Sequence, residues 1–268
     1  MFYVLLYKGL EVRKIKKEVV IEVKDLRKVF KLGKEKVVAI NKMDFEINKG
    51  EICCILGTSG SGKSTLLNMM AGLEKPTKGY VKILGKEVTK MNEKKLAIFR
   101  QKYIGFIFQS YNLMNALTAI ENVSLPLVFR GVSRNRRKQE ATKLLKAVGL
   151  ESHLKHKPTQ MSGGQQQRVG IARSFVGNPK VIFADEPTGN LDSKTSDEVL
   201  QLMERIVKEK EQVLVIVTHD RSVTKYADKI IHVLDGNIQS VEIVEKKNEI
   251  KNEIKKGEEE IKHEEKSV

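Results

Sequence analysis

The chain has no tryptophan, only two cysteines and five prolines, and aromatic residues make up 6% of its 268 positions. Cys53 and Cys54 are neighbours inside the apolar run EICCIL, where strand alternation would point them to opposite faces. A disulfide scaffold is excluded, and a reducing cytoplasm is the expected home. Also missing are the roughly 18 to 20 uninterrupted apolar residues that a bilayer crossing demands; Lys, Arg, Glu or Gly interrupts every apolar run. The opening MFYVLLYKGL is apolar, but its charges follow the patch and no small-residue cleavage site comes after, so it does not read as a signal peptide. No internal repeat is present.

What is there suffices for a core. Hydrophobic residues at 40% and charged residues at 31% describe a soluble globular protein, with one large domain or a core and a satellite expected at this length. The net charge of +15 invites a nucleic-acid reading, yet its excess is regional: between Glu93 and Lys157 stand 13 Lys or Arg against 4 acidic residues. The tail from Glu245 to Lys266 is near neutral, with 7 Lys and 8 Glu, and reads as a solvated helix held by Glu and Lys pairs.

Strand patterns recur over 19–30, 37–47, 51–57 and 80–85, with one helix, Lys63 to Ala71, entered from a glycine-rich loop. From Lys94 to Gly149 the periodicity turns helical, with IGFIFQ as a short strand near the start. After Pro158 come a helix from Gly164 to Val176, the strand VIFAD, a helix from Ser193 to Glu209, the strand VLVIVTHD and a hairpin turning at Asp235-Gly236. Alternating buried strands and helices predict an α/β core with a parallel sheet.

Three motifs carry chemistry. Gly57, Thr58, Ser59, Gly60, Ser61, Gly62, Lys63, Ser64 and Thr65 fit the phosphate-binding pattern G-x-x-x-x-G-K-[ST] between a strand and a helix. Backbone N–H groups would curl around a β-phosphate, Lys63 would reach the β- and γ-phosphates, and Ser64 would ligate Mg²⁺. VIFADEP carries Asp185 to a strand end, where it can hold Mg²⁺, and Glu186 next to it could accept the proton of an attacking water. In MSGGQQQR, Ser162, Gly163, Gly164 and Gln165 precede or open a helix, making a second anion site.

Together GTSGSGKST, VIFADEP and MSGGQQQR resemble the phosphate loop, the carboxylate strand and the signature of ABC ATPases. The run HKPTQMSGGQQQR…DEPTGNLDS looks like the LolD/MacB/FtsE-like subgroup of lipoprotein-release and macrolide-export ATPases, and the likeness covers about Ile21 to Gln239. The resemblance implies a P-loop NTPase core with parallel sheet and helices, an N-terminal antiparallel β subdomain, and a helical subdomain inserted at about 93–160. The ATPase domain would run over 19–242, between an extension at 1–18 and a charged tail at 243–268. It implies ATP and Mg²⁺ as ligands, with Phe30 stacking on adenine, Gln109 contacting Mg²⁺ and facing the transport partner, and His219 as the switch histidine beside Glu186. Asn190, Leu191 and Asp192 match the loop that lines a dimer interface. It further implies a head-to-tail homodimer with two nucleotides sandwiched between phosphate loop and signature, driving a separate transmembrane permease from the inner face of the cell membrane, with export favoured. A signalling output to a cell-envelope hydrolase or sensor is the alternative. A nucleic-acid role is disfavoured, because only 99 residues separate Lys63 from Ser162, room for a small helical subdomain and no long coiled coil. Tyr111, Leu113, Met114 and Leu117 are the expected coupling groove, and Arg130, Arg134, Arg136, Arg137 and Lys138 an expected membrane-side or partner-side surface.

Overall fold

The computed structural model describes residues 18–33 and 35–244; the readings of an N-terminal arm and of a charged tail fall almost wholly outside the described residues. Ten strands and six helices follow one another as β1 (Val19–Leu32), β2 (Glu35–Asn48), β3 (Ile52–Leu56), α1 (Lys63–Met70), β4 (Lys78–Ile83), β5 (Lys86–Glu87), α2 (Glu93–Tyr103), β6 (Ile104–Ile107), α3 (Ala119–Phe129), α4 (Arg134–Ala147), α5 (Gly163–Phe175), β7 (Val181–Asp185), α6 (Ser193–Glu209), β8 (Val213–Thr218), β9 (Lys229–Leu234) and β10 (Asn237–Ile243). β10, β9, β3, β8, β7 and β6 form one sheet in that order, parallel except for the β9–β10 hairpin. β2, β1, β4 and β5 form a second, antiparallel sheet.

The central strands are apolar at nearly every position because both faces of the parallel sheet are covered. Along β3, Ile52, Cys54 and Leu56 enter a core shared with α3, α4, α5 and α6. Cys53 and Ile55 enter the opposite core, shared with α1, α2 and the antiparallel sheet. Each fully buried Ile, Val or Leu contributes about 1.5–3 kcal/mol by leaving water, so β3 is anchored from two sides and carries the loop after it on a rigid stem. The adjacent cysteines face opposite cores, as alternation requires.

Helix starts follow side-chain caps. Asn92 accepts from Lys95 N at the head of α2 and Asp192 from Thr195 N at the head of α6. Thr118 with Glu121, and Ser162 with Gln165, form reciprocal capping boxes at α3 and α5. The helical region divides between the two cores: Leu96 and Phe99 of α2 pack with the antiparallel sheet, whereas α3 and α4 pack on α5. Between them β6 is an edge strand of the parallel sheet. Arg130, expected on an outer basic surface, turns inward instead. Its guanidinium donates to the carbonyls of Gln101, Lys102 and Gly177, tying the end of α3 to α2 and to the α5–β7 turn. Five donors in a fixed fork suit an arginine to several carbonyls at once.

Candidate functional site

The phosphate loop follows β3 directly, and its glycines are there for contact and for conformation. A Cβ on Gly57 would lie 2.2 Å from the Val233 carbonyl oxygen, and one on Gly62 would lie 2.4 Å from that of Ala39. Gly62 also has a φ of 96° and caps α1 without a side-chain bond, so the first-turn N–H groups of α1, which have no intrahelical acceptor, point into the loop. Lys63 is largely buried, and its Nζ donates to the Thr58 carbonyl at 2.6 Å. Burial pulls this ammonium below its ordinary value, with the Glu186 and Asp185 charges opposing. A cation held over a glycine-walled cradle fits a polyphosphate.

β7 and β8 bring the carboxylates alongside. Asp185 Oδ1 accepts from Ser64 Oγ at 3.3 Å. Burial raises the Asp185 carboxyl above its ordinary value against the lowering by the Ser64 bond. A hydroxyl and a carboxylate side by side form a hard oxygen donor set that fits Mg²⁺, which uses one or two carboxylates plus phosphate oxygens and water. The next residue, Glu186, has a φ of 46°, a left-handed conformation that is uncommon outside glycine. That kink, with Glu186 N bonded to Val217 O at 2.9 Å, aims the carboxylate at the end of β8. There Oε2 accepts from Thr218 Oγ1 at 3.0 Å and Oε1 pairs with His219 Nδ1 at 2.8 Å. Because an ionised carboxylate only accepts, His219 carries its proton on Nδ1 and turns Nε2 away from Glu186.

Apart from Thr218, which stands behind Glu186, the side chains just described line one cleft of about 1120 Å³, together with Gln109, Arg221 and His232. Gln109 is tied to the loop after β7, since its carbonyl accepts from Asn190 Nδ2 at 2.9 Å. Two groups of expected site residues lie elsewhere. Phe30 sits on β1 outside the cleft lining, with Lys28 Nζ 4.9 Å from its ring centroid. Ser162, Gly163, Gly164 and Gln165 stand at the head of α5, also outside the lining. At that head Ser162 N donates to Gln165 Oε1 at 3.0 Å and Gln165 N to Ser162 Oγ at 3.3 Å. The hydroxyl therefore accepts locally from the first turn of α5.

Thr218, Arg221 and His232 had no signal in the sequence strong enough to single them out; Thr218 is here by its bond to Glu186, and Arg221 and His232 by their place in the cleft lining. The expected coupling segment is only partly open. Leu113 is partly buried against the core while Met114 is exposed, and a separate hollow of about 440 Å³ opens between α2 and α3, lined by Ala97, Ile98, Gln101, Leu125, Pro126, Phe129 and Arg173. Phe129 is 72% exposed.

The chain resembles known proteins of one family. The ABC transporter family model matches residues 40–189. An uncharacterized ABC transporter ATP-binding protein of Thermotoga maritima is 48% identical over 223 residues, covering 83% of this chain and 95% of that protein. The macrolide export ATP-binding/permease protein MacB of Syntrophobacter fumaroxidans is 42% identical over 82% of this chain, which spans 31% of that longer protein. A solved dimeric structure of the ATP-binding cassette MJ0796, in a post-hydrolysis state bound to ADP and Pi, superposes with a TM-score of 0.79 at 41% identity, covering 84% of this chain and 99% of that one.

Proposed function

The chain belongs to the ABC transporter family and is an ATP-hydrolysing cassette of it, and from that premise we propose that it works as a head-to-tail homodimer that drives a separate membrane permease, in export or in lipoprotein or peptide extrusion. One observation carries the dimer: the phosphate loop and the Ser162 head of α5, the two places suited to an anion, do not meet in one chain. The phosphate loop lines the cleft, whereas the Ser162 end of α5 does not. A second copy can bring its Ser162 end to the open cleft, and symmetry then closes two such sites. The dimeric form of the related MJ0796 cassette supports this reading, as does the export role in the name of MacB.

In this reading Lys63 and the first turn of α1 hold the β- and γ-phosphates, and Ser64, Asp185 and Gln109 hold Mg²⁺. The ion would neutralise charge on the phosphate oxygens when bound. Glu186 accepts the proton of the attacking water, and Thr218 and His219 hold its two oxygens in place. Phe30 offers a ring face to adenine. The α2–α3 hollow, with Phe129 and Ile98 exposed at its rim, offers an apolar seat for a short helix of the permease. No helix among the described residues is long and apolar enough to cross a membrane, which fits peripheral attachment through such a seat.

Glu186→Gln tests the core of the proposal, since it removes the proton acceptor and keeps size and polarity. The variant is expected to lose steady-state hydrolysis and to form an ATP-dependent dimer in light scattering. An ATP-saturated variant that stays monomeric sinks the dimer, and one that hydrolyses normally sinks the assignment of the base.

A further inference from the structure

The capping box at the head of α5 is one link in a longer chain of hydrogen bonds that ends on an imidazole. Ser162 N–H can only donate, so the Gln165 atom it meets at 3.0 Å is the carbonyl Oε1. This fixes the carboxamide and turns its N–H₂ toward His153, whose Nε2 stands 3.2 Å from Gln165 Nε2. An amide nitrogen does not accept, so His153 Nε2 must be the ring nitrogen without a proton. The proton of the neutral ring then sits on Nδ1, which donates to Ser152 Oγ at 2.9 Å. Only one tautomer of one charge state satisfies the run Ser152–His153–Gln165–Ser162.

We infer that His153 is a positioning residue for the signature loop, locking Ser162 through Gln165 only while its imidazole is neutral, so that dimer closure on ATP acquires a pH dependence separate from that of the catalytic centre. The inference rests on the reading that Ser162 closes on the nucleotide of a second copy. Protonation sets N–H against N–H₂. The carboxamide can answer by turning over, giving Oε1 to the imidazolium and presenting N–H₂ to Ser162 N–H, which breaks the capping box. Imidazole is the side chain that changes charge between about pH 5 and 8.

The surroundings do not offset that charge. His156, on the same loop, places its ring centroid 4.9 Å from that of His153. Lys155 and Lys157 flank it in sequence. α4 brings Lys146, paired with Glu151 at 2.5 Å. α3 brings Glu121, held by Thr118 through its hydroxyl and backbone N–H. α5 brings Arg168, paired with Glu198 at 2.5 Å. No ion pair to His153 is formed among the described residues, and the ring's own partners are a neutral amide and a hydroxyl.

The test uses the full Glu186→Gln chain with ATP and Mg²⁺, sized by light scattering between pH 6 and pH 8. Loss of one hydrogen bond that leaves a donor unmatched weakens closure by about tenfold per loop once the ring is fully charged; because an imidazole is only partly protonated at pH 6, dimer affinity is expected to fall by about tenfold there for the two loops of a dimer. Adding His153→Gln, whose carbonyl accepts at any pH, should remove most of that fall. Adding His153→Lys, a permanent cation, should weaken the dimer at pH 8 toward the pH 6 level of the parent, and ATP binding by each monomer reports that the variants are folded. A pH fall that survives His153→Gln, or a full-strength dimer with His153→Lys at pH 8, overturns the inference and leaves the dimer reading standing. A Glu186→Gln parent that does not dimerise even at pH 8 overturns the dimer reading, and the inference with it.

Discussion

At Asp185, burial raises the carboxyl above its ordinary value, the Ser64 bond opposes this, and the Glu186 charge adds to it. A carboxyl whose folded value is raised favours the folded state at pH below its unfolded value and loses that contribution as pH rises through the folded value. Without a cation, the ionised Asp185 therefore costs stability at neutral pH. Asp185→Asn is expected to raise the Tm of the nucleotide-free protein by a few degrees, about 1 kcal/mol corresponding to roughly 2–4 °C in a domain of this size, while Mg²⁺-dependent hydrolysis is lost. Differential scanning calorimetry at pH 7.5 checks it, and a lowered Tm would contradict the sign. Lys63→Ala should weaken ATP binding by tenfold or more in equilibrium titration, because it removes a cation buried against the loop; unchanged affinity would sink the phosphate reading. Lys63, Asp185 and Glu186 were legible from the sequence, since their chemistry requires fixed spacing at strand ends, whereas His219 was marked only by the family resemblance. Thr218 and His153 were not, because their partners lie 32 and 12 positions away and an ordinary Thr or His carries no mark of that.

Among the elements, α3 depends on one polar side chain inside its packed face. Asn122 is fully buried, and its carboxamide accepts from Met114 N at 2.8 Å and donates to the carbonyls of Met114, Leu117 and Thr118. It thereby pins the segment after Gln109 onto the helix. Asn122→Leu leaves those backbone groups without a partner, at about 1–3 kcal/mol for each that stays buried. We expect a urea midpoint lowered to match and faster proteolysis around 112–117, with an unchanged midpoint counting against the role. The helices themselves were readable from periodicity and caps, and α3 falls on AIENVSLPLVF as the pattern required. Arg130 was misjudged for a physical reason. Composition counts its charge with its neighbours' and cannot show that this guanidinium turns inward to three carbonyls while Arg134 and Arg136 stay outside.

For the whole molecule, the alternation of strand and helix gave the parallel sheet, but not how the β1, β2 and β4 layer closes over α1, since non-sequential neighbours such as β1 and β4 leave no local trace. The same distance effect hid the α2–α3 hollow, whose rim joins Ile98 to Phe129 from opposite sides of β6. Ile98→Asp with Phe129→Asp should leave the ATP affinity of the isolated subunit within about twofold, since surface changes away from a site are nearly neutral. The double variant should no longer sediment with membranes that hold the permease. Retention on those membranes at wild-type level would move the docking surface elsewhere.

Cys53 and Cys54, side by side on β3 and facing different cores, give the molecule a pair of built-in timers. Burial pushes the Cys53 thiol well up and the Cys54 thiol to about 12, so neither meets an alkylating reagent until its own core opens. Labelling each in a time course therefore clocks the breathing of one side of the sheet independently of the other. ATP, bound by the loop that β3 carries, should slow both clocks by the same factor if the strand detaches as a unit. If only the helical side breathes, Cys54 alone will slow, and two adjacent atoms will have reported which half of the protein yields first.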